Sequence, residues 1–427
     1  MKRIIDFVAK HPVAITAMVC VVFYFLPFKP KPFGDGEYHQ GTIQLIDYIV
    51  NGFQGSVRVD KGLFTLFYYF IPYSLAYVFH SDAVYFHFGI LFNFFFLCLG
   101  IRYLFKTFDL YHFNNKSKFL TIVALNLFPI HVYYGLGILA ETAAFFSIII
   151  FIYSWAHINL GLKTSKYFLL LAFSLVIIAG TRPNLLPFVI LFSIYFLTIK
   201  ESWKNKLIFI GTLSLTLFLL IVSESKLNQD TKSQDFKNII FRNQIVWSRF
   251  ELRDEPFNWL PQHGHDGFES QDYLNNLKKR RELDSICNVN HFDKTKYFIN
   301  WVKNDIIHNP LLTLRQYSLK FFQSQSFIIS PLMKSKNSNL IKYGIHAYIN
   351  LINYILVIAG LLSMFKLFRN KNYKLFIPFL LFWSWSLLYV FMFHSEQRYM
   401  FPTRPILLFL FTYWVSSYNL KNKNANC

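Results

Sequence analysis

Residues 84–105 read VYFHFGILFNFFFLCLGIRYLF, and this stretch decides the fold class of the chain. It is long enough for a helix that crosses a bilayer, which needs about 20 apolar residues, and its one formal charge is Arg102 near the end. Over the whole chain 54% of residues are hydrophobic and 15% are charged, whereas a soluble domain has about 25% charged residues. Such a chain cannot hide its apolar surface around one aqueous core. We therefore expect an all-α polytopic membrane protein.

Further apolar stretches on both sides of 84–105 predict about ten transmembrane helices. The predicted spans are 12–28, 84–105, 119–137, 138–157, 167–180, 185–199, 207–223, 347–366, 375–393 and 400–418. The run 63–79 is interrupted by Pro72, and we interpret it as a juxtamembrane or re-entrant helix at the membrane surface. The first span has a basic segment before it, but no small-residue cleavage site follows it. This pattern indicates a retained transmembrane helix and not a removed signal peptide.

The distribution of Lys and Arg predicts the orientation of these spans. With ten spans, the segments on the same side of the membrane as the N-terminus are 1–11, 102–118, 158–166, 200–206, 366–374 and 419–427. Together these segments contain eighteen Lys and Arg residues but only three acidic residues. Basic loops stay in the cytoplasm. We expect both termini to be cytoplasmic, in a multi-pass protein of a bacterial inner (plasma) membrane, with an extracytoplasmic active site.

This topology divides the chain into three predicted parts. Residues 1–223 form an N-terminal transmembrane module whose first outer loop is 29–83. Residues 224–346 mix charges with aromatics and are expected to fold as an extracytoplasmic domain. Residues 347–427 form a C-terminal module of three helices. Function is sought in the outer segments.

The net charge of +20 does not indicate nucleic-acid binding, because the basic residues lie in short loops between apolar runs. Membrane lipids, or a lipid substrate that carries phosphate, explain this charge better. His263, His265 and Asp266 superficially resemble metal ligands, but no third ligand stands at helical spacing. We expect neither a metal nor another cofactor.

The first outer loop carries two neighbouring acids. Residues 32–40 read PFGDGEYHQ, which places Asp35 and Glu37 between glycines just beyond the first span. An acid at the membrane surface can act on a lipid-borne substrate. Inverting transfer of a sugar needs one carboxylate to take the proton of the acceptor hydroxyl, while a phosphate leaving group needs little protonation. The alternative is a pair of solvated loop acids.

The last outer loop carries a second cluster. Residues 391–410 read FMFHSEQRYMFPTRPILLFL and hold His394, Glu396, Arg398 and Arg404. Ionisable groups at the mouths of spans are costly unless they are paired or wet, so they are candidate functional residues. The fork of Arg398 suits a departing phosphate, and Glu396 could orient it. The alternative is an interfacial belt of aromatic and Arg residues, which is plausible for Arg404.

The pattern H-x-E-x-R-[YF]-x-x-P-x-x-P, from His394 to Pro405, resembles the last-loop signature of membrane mannosyltransferases of the GT-C glycosyltransferase superfamily. This resemblance implies a hexosyltransferase that uses a polyprenyl-phosphate-linked sugar. It also implies that Asp35 and Glu37 form the catalytic acidic motif. The family's adjacent Asp-Glu pair is split here by Gly36, so either acid could be the base.

Three further residues extend the candidate site. Glu141 stands near the outer end of the fourth span, where GT-C enzymes often carry an acid. Arg182, in AGTRPNLLP, stands in an outer turn that suits a phosphate contact, although Glu141 and Arg182 could equally form a structural ion pair with each other. Lys61 could contact the lipid phosphate, or could be an ordinary interfacial lysine.

The predicted function is transfer of a sugar, with inversion, from a polyprenyl-phosphate donor to an extracytoplasmic glycolipid, polysaccharide or protein acceptor, as part of glycan biosynthesis in the cell envelope. One alternative is a surface-polysaccharide polymerase or ligase, which would use a pyrophosphate-linked donor and would not need the paired acids. Another is a lipid or solute transporter. The nearly uncharged centres of the spans disfavour a transporter.

Overall fold

The structure is a computed structural model that describes residues 2–25, 36–55, 57, 59, 62–127, 130–162, 164–227, 231–253, 271–327, 339–393 and 397–424. Within these ranges the chain consists of helices joined by turns and contains no strand. A bilayer favours this outcome, because a helix satisfies its own backbone hydrogen bonds where water is absent. The predicted all-α class is confirmed for the described residues.

The helices run along the chain in the following order. The first nine are α1 (Lys2–Lys10), α2 (Pro12–Phe25), α3 (Gly36–Val50), α4 (Leu63–Ala76), α5 (Asp82–Leu110), α6 (Asn115–Leu127), α7 (Ile130–Leu136), α8 (Ala140–Asn159) and α9 (Ser165–Thr181). The others are α10 (Leu186–Thr198), α11 (Trp203–Leu227), α12 (Thr231–Phe250), α13 (Gln271–Asn290), α14 (Lys294–His308), α15 (Pro310–Gln325), α16 (Asn339–Arg369), α17 (Tyr373–Met392) and α18 (Arg404–Asn424). Short 3₁₀ turns occupy Tyr77–Phe79, Pro183–Leu185 and Gln397–Thr403.

Five of the described helices are long and apolar enough to cross a membrane: α5, α8, α11, α16 and α17. Helices α1 and α2 would count as a sixth span, but they meet at an angle of 82°. The chain is therefore a membrane protein, and its prediction as such is confirmed. The figure of about ten spans stays a prediction, since α9 and the segments 63–79 and 183–198 are apolar but shorter.

Two stretches differ in detail from the predicted spans. The predicted span 119–137 is occupied by two shorter helices, α6 and α7, and the sequence has Pro129 between them. Proline lacks the N–H that a continuing helix needs. At the N-terminus, Pro12 opens α2 at its first position, where proline is favoured, so α1 and α2 are separate helices.

The described chain separates into two compact units by its internal contacts. The first unit comprises Met1–Gln229, Ile329–Trp383 and Phe401–Cys427, and the second comprises Asp230–Ile328 and Ser384–Met400. The first unit contains most of the long apolar helices.

Helix α8 lies at the centre of the first unit. In its apolar stretch 89% of the residues are buried, against 11% in α11, so α8 is enclosed by neighbours while α11 faces outward. Around α8, the aromatic rings of Phe151, Phe188 and Phe192 pack with centroids 5.0–6.0 Å apart. This central helix carries a candidate site residue, Glu141, in its first turn.

Helix α4 has one buried face and one exposed face. Tyr69 and Tyr73 are fully buried, whereas Ile71 and Leu75, four residues apart, are 55% and 65% exposed. An apolar side chain that remains exposed in a membrane protein is suited to contact with lipid. The predicted first outer loop thus contains a helix that is packed against the bundle on one side and has exposed apolar side chains on the other.

The second unit has its own small core. Helices α12, α13 and α14 enclose Ile245, Val246, Leu283, Cys287 and Phe298. Charged side chains cover much of the rest, as in NNLKKRRELDSI of α13. Cys287 is buried, so its thiol is not exposed to a labelling reagent.

Candidate functional site

The predicted site residues fall into three groups. Asp35, Lys61, His394 and Glu396 lie outside the described residues, as do His263, His265 and Asp266. For Glu37, in the first turn of α3, and Arg398, in the 3₁₀ segment Gln397–Thr403, the structure describes the helical backbone but not the side chain. Glu141 and Arg182 are fully described, and they lie together.

Glu141 and Arg182 form a buried ion pair. The Arg182 guanidinium donates from Nη2 to Glu141 Oε1, and the two residues are 8% and 1% exposed. Glu141 is the second residue of α8, where the helix dipole favours an anion. Arg182 caps the end of α9, and its backbone N–H donates to Ile178 at 3.0 Å. The structure thus contains the ion pair between Glu141 and Arg182 that the sequence suggested. A contact of Arg182 with a phosphate stays a prediction.

The segment before α4 contacts the end of α9 next to this pair. Gly62 has φ +109°, and a Cβ on it would lie 2.4 Å from the Gly180 carbonyl oxygen and 3.5 Å from Pro183 Cδ. A Cβ on Gly180 would in turn lie 2.8 Å from Phe64 Cβ. The backbones approach this closely only because both positions are glycine. Gly62, which follows Lys61 in sequence, therefore lies against residues on both sides of Arg182, namely Gly180 and Pro183.

A second polar cluster ties α3 to α4 and α5. His39 Nε2 lies 3.2 Å from Asp82 Oδ1, and His39 Nδ1 lies 3.2 Å from Tyr73 Oη. Because a carboxylate only accepts, the neutral imidazole carries its proton on Nε2 and accepts the Tyr73 hydroxyl at Nδ1. Burial lowers the pKa of His39, and Asp82 opposes this effect more weakly. His39 thereby fastens the helix whose first turn contains Glu37.

A buried tyrosine–asparagine network continues from this cluster towards Glu141. Tyr69 donates to the Leu139 carbonyl at 2.8 Å and accepts from the Leu139 N–H at 2.8 Å. Asn93 of α5 donates to the Gly137 carbonyl at 2.7 Å. The Tyr69 and Tyr73 rings are 5.9 Å apart. Direct contacts therefore run from His39 through α4 to the turn that precedes Glu141.

An apolar cavity of about 350 Å³ lies between α2 and α5. Its walls are formed by Cys20, Val21, Tyr24, Phe25, His87, Ile90, Leu91, Phe94 and Leu136. Within this wall, Tyr24 Oη and His87 Nδ1 form a hydrogen bond of 2.7 Å. Helix α2 ends at Phe25, ahead of the loop that carries Asp35. The apolar side chains of this wall suit a hydrocarbon chain as the ligand.

The second unit holds a buried charge cluster that sequence reasoning missed. Lys320 is fully buried, with Nζ 3.3 Å from Glu251 Oε2 and donating to the Ser248 carbonyl at 2.9 Å and the Phe391 carbonyl at 3.4 Å. Burial lowers the pKa of Lys320, and Glu251 partly offsets this. Phe391 stands three residues before His394 in sequence, so Lys320 anchors the end of the helix that leads into the last-loop motif.

Arg404 does not sit in an interfacial belt. It is fully buried and its Nη1 donates to Asn353 Oδ1 of α16, within the first unit. Its role is thus to join α16 to the start of α18. Among the residues that the structure describes, no group of three or more His, Cys, Asp or Glu could hold a metal ion.

His39, Asp82 and the Tyr69 network could not be assigned from the sequence, because their partners are distant along the chain. His39 and Asp82 are 43 residues apart, and Tyr69 and Leu139 are 70 residues apart. The one available signal was the position of His39 four residues after Asp35, which is one helical turn.

Comparison of the chain with protein-family models, with curated proteins and with solved structures finds no match. The resemblance to GT-C glycosyltransferases therefore stays a prediction that depends on the two loop motifs.

Proposed function

We propose that this chain is an integral membrane glycosyltransferase of GT-C type, which moves a hexose with inversion from a polyprenyl-phosphate donor to an extracytoplasmic glycolipid, polysaccharide or protein acceptor. The observation that carries the proposal is the run of direct contacts at one end of the first unit. It joins α3, which begins at the acidic motif, to the buried Glu141–Arg182 pair. About ten spans, cytoplasmic termini and a bacterial inner membrane belong to the same proposal.

In the proposed reaction Asp35 or Glu37 takes the proton of the acceptor hydroxyl. The hydroxyl oxygen forms a bond to the anomeric carbon as the bond from that carbon to the phosphate oxygen breaks. The polyprenyl phosphate leaves with the electron pair. The fixing of α3 by His39 supports this role for the acids, since a general base must be held within hydrogen-bond distance of the proton.

Arg182 and Lys61 are proposed to neutralise the departing phosphate. A guanidinium has five N–H donors in a planar fork, so the same group can hold the Glu141 carboxylate and a phosphate oxygen. Glu141 fixes the orientation of this fork. The close approach of Gly62 to Gly180 supports a place for Lys61 beside Arg182. No metal is part of this mechanism.

The polyprenyl tail of the donor is proposed to occupy the apolar cavity between α2 and α5. Its wall is almost entirely hydrocarbon and aromatic, which suits an isoprenoid chain. The connection from α2 to α3 carries Asp35, so a tail bound here keeps the sugar phosphate near the acidic motif.

The test is transfer by the purified protein in lipid nanodiscs, with polyprenyl-phosphate mannose and polyprenyl-phosphate glucose as donors and membranes from cells lacking the protein as acceptor source. We expect Asp35→Asn or Glu37→Gln to lower turnover by about a hundred- to ten-thousand-fold, because the amide cannot take the proton. Glu201→Gln, on a loop predicted to be cytoplasmic, is the matched control and should keep full activity.

Three results would contradict this function. Wild-type turnover in both Asp35→Asn and Glu37→Gln would show that the acids of the first loop take no part in catalysis. Transfer only from pyrophosphate-linked donors would indicate the polymerase or ligase. Movement of lipid across vesicle membranes without sugar turnover would indicate a transporter.

A further inference from the structure

A basic cavity lies at the other end of α5 from the candidate site. It has a volume of about 640 Å³ and lies where α1 meets α2, against the last turns of α5 and the first turn of α6. It belongs entirely to the first unit. None of the residues of the proposed transfer site lines it.

The charge of this cavity is strongly unbalanced. Four basic side chains line it, Lys10, Arg102, Lys106 and Lys118, against the single acid Asp109. Asp109 pairs with Lys118, whose side chain is only 12% exposed. Among the described residues, Lys10 and Arg102 take part in no ion pair. Asp109 thus holds one cation in place and leaves an excess of positive charge for an anionic ligand.

The length and composition of the surrounding helices favour a position of this cavity at the level of lipid headgroups. Helix α5 is a candidate span, and Arg102 and Lys106 stand four residues apart, on one face of its last turns. Helix α1 turns away from α2 by 82°, and its Ile4 and Phe7 are 63% and 61% exposed. A short helix with exposed apolar residues between lysines lies along the membrane surface, with those residues in the acyl region.

We propose that this cavity binds the phosphate headgroup of an anionic phospholipid. Basic pockets between transmembrane helices bind such headgroups, and lysine and arginine side chains supply the donors for the phosphate oxygens. The volume suits a glycerophosphate headgroup, since small-ligand sites measure about 300–1,000 Å³. A lipid bound here holds α1, α5 and α6 together, because each of the three helices contributes a cation. This site is independent of the proposed transfer reaction.

The experiment is native mass spectrometry of the full-length protein, released from detergent in the presence of phosphatidylglycerol or of phosphatidylcholine. The wild-type protein should retain phosphatidylglycerol and not phosphatidylcholine. The double variant Arg102→Gln/Lys106→Gln should bind phosphatidylglycerol about thirtyfold more weakly, from the usual contribution of two basic residues near an anionic lipid surface. The matched control Lys116→Gln/Lys166→Gln removes two charges from neighbouring basic segments outside the cavity wall and should bind as the wild type does.

A charge-keeping variant separates binding from folding. Arg102→Lys/Lys106→Arg preserves both charges and should retain the lipid, whereas a general loss of structure would remove binding from this variant as well. Equal retention of phosphatidylglycerol by the glutamine variant and the wild type would overturn the proposal. Displacement of the lipid by an equal concentration of inorganic phosphate would also overturn it, because it would assign the cavity to a soluble anion.

Discussion

The Glu141–Arg182 pair is costly to bury, and this cost bears on its role. Removing two charges from water costs several kcal/mol per ion, and their attraction repays it only with good geometry. Apolar residues of the same volume in place of Glu141 and Arg182 would stabilise the protein at least as well as the ion pair does. The pair is therefore poorly explained by stability alone, and a role of Arg182 towards a charged ligand explains it better.

Two single variants and their combination test the role of the Glu141–Arg182 pair. Arg182→Met should lower the free energy of unfolding by about 3–5 kcal/mol, because it leaves the Glu141 carboxylate buried without its partner. Glu141→Leu should have a similar effect. The double variant Glu141→Leu/Arg182→Met should recover most of that stability and should still be inactive in sugar transfer.

Thermal unfolding in detergent and the transfer assay measure the two properties separately. Full turnover of the stable double variant would show that the pair is purely structural. Failure of the double variant to recover stability would show that one of the charges has a further partner on which folding depends.

Gly62, which directly precedes α4, lies in close contact with the end of α9. Sequence patterns predicted the long apolar helices well, because each coincides with an unbroken apolar run. They did not predict the length of α3, whose sequence GEYHQGTIQLIDYIV mixes polar and apolar residues without a strong period. They also could not predict the approach of Gly62 to Gly180, because it joins residues far apart in the chain.

Substitution of this glycine tests whether the alignment matters. Gly62→Ala should lower both stability and turnover for two reasons. The new Cβ would clash with the Gly180 carbonyl oxygen. The positive φ would also strain the alanine backbone, which costs about 1–3 kcal/mol. Gly55→Ala is the matched control. Its φ is +104°, but nothing lies within 4 Å of its Cβ, so it adds backbone strain without a clash.

Turnover and thermal unfolding of the two variants should therefore differ. If Gly62→Ala and Gly55→Ala behave alike, the close contact with α9 does not position the loop. If Gly62→Ala alone loses transfer while it remains folded at the assay temperature, the contact with α9 positions the segment before α4 for the reaction.

At the scale of the whole molecule, the distribution of charge predicts which segments face the cytoplasm. Residues 224–346 are predicted outside and 366–374 inside. Most of the former segment that the structure describes belongs to the second unit. The sequence predicted this separate polar region, because its charged composition contrasts with the apolar runs around it. It could not predict that residues 384–400 belong to the same unit, since residues 384–392 continue the apolar run of α17.

Cysteine labelling in intact cells tests this orientation. In a background with Cys98→Ser and Cys427→Ser, a Val289→Cys variant should react with a membrane-impermeant maleimide, because Val289 is 74% exposed and predicted outside. A Lys371→Cys variant should react only after the cells are permeabilised. Cys287 is buried and serves no purpose as a native probe. Reaction of Lys371→Cys in intact cells would show that residues 366–374 lie outside and that the predicted orientation is wrong.

The enclosed position of α8 has a consequence for how the protein is made. Of the five long candidate spans, α8 is the least apolar and the most buried, with Ser147 and Ser154 inside the bundle. A nascent helix of this kind partitions weakly into lipid by itself, because its hydroxyls face hydrocarbon until other helices cover them. Helix α5 leaves the ribosome before α8, and α9 follows it at once. We therefore expect α8 to enter the bilayer together with α5 and α9, which cover its hydroxyls, more readily than alone.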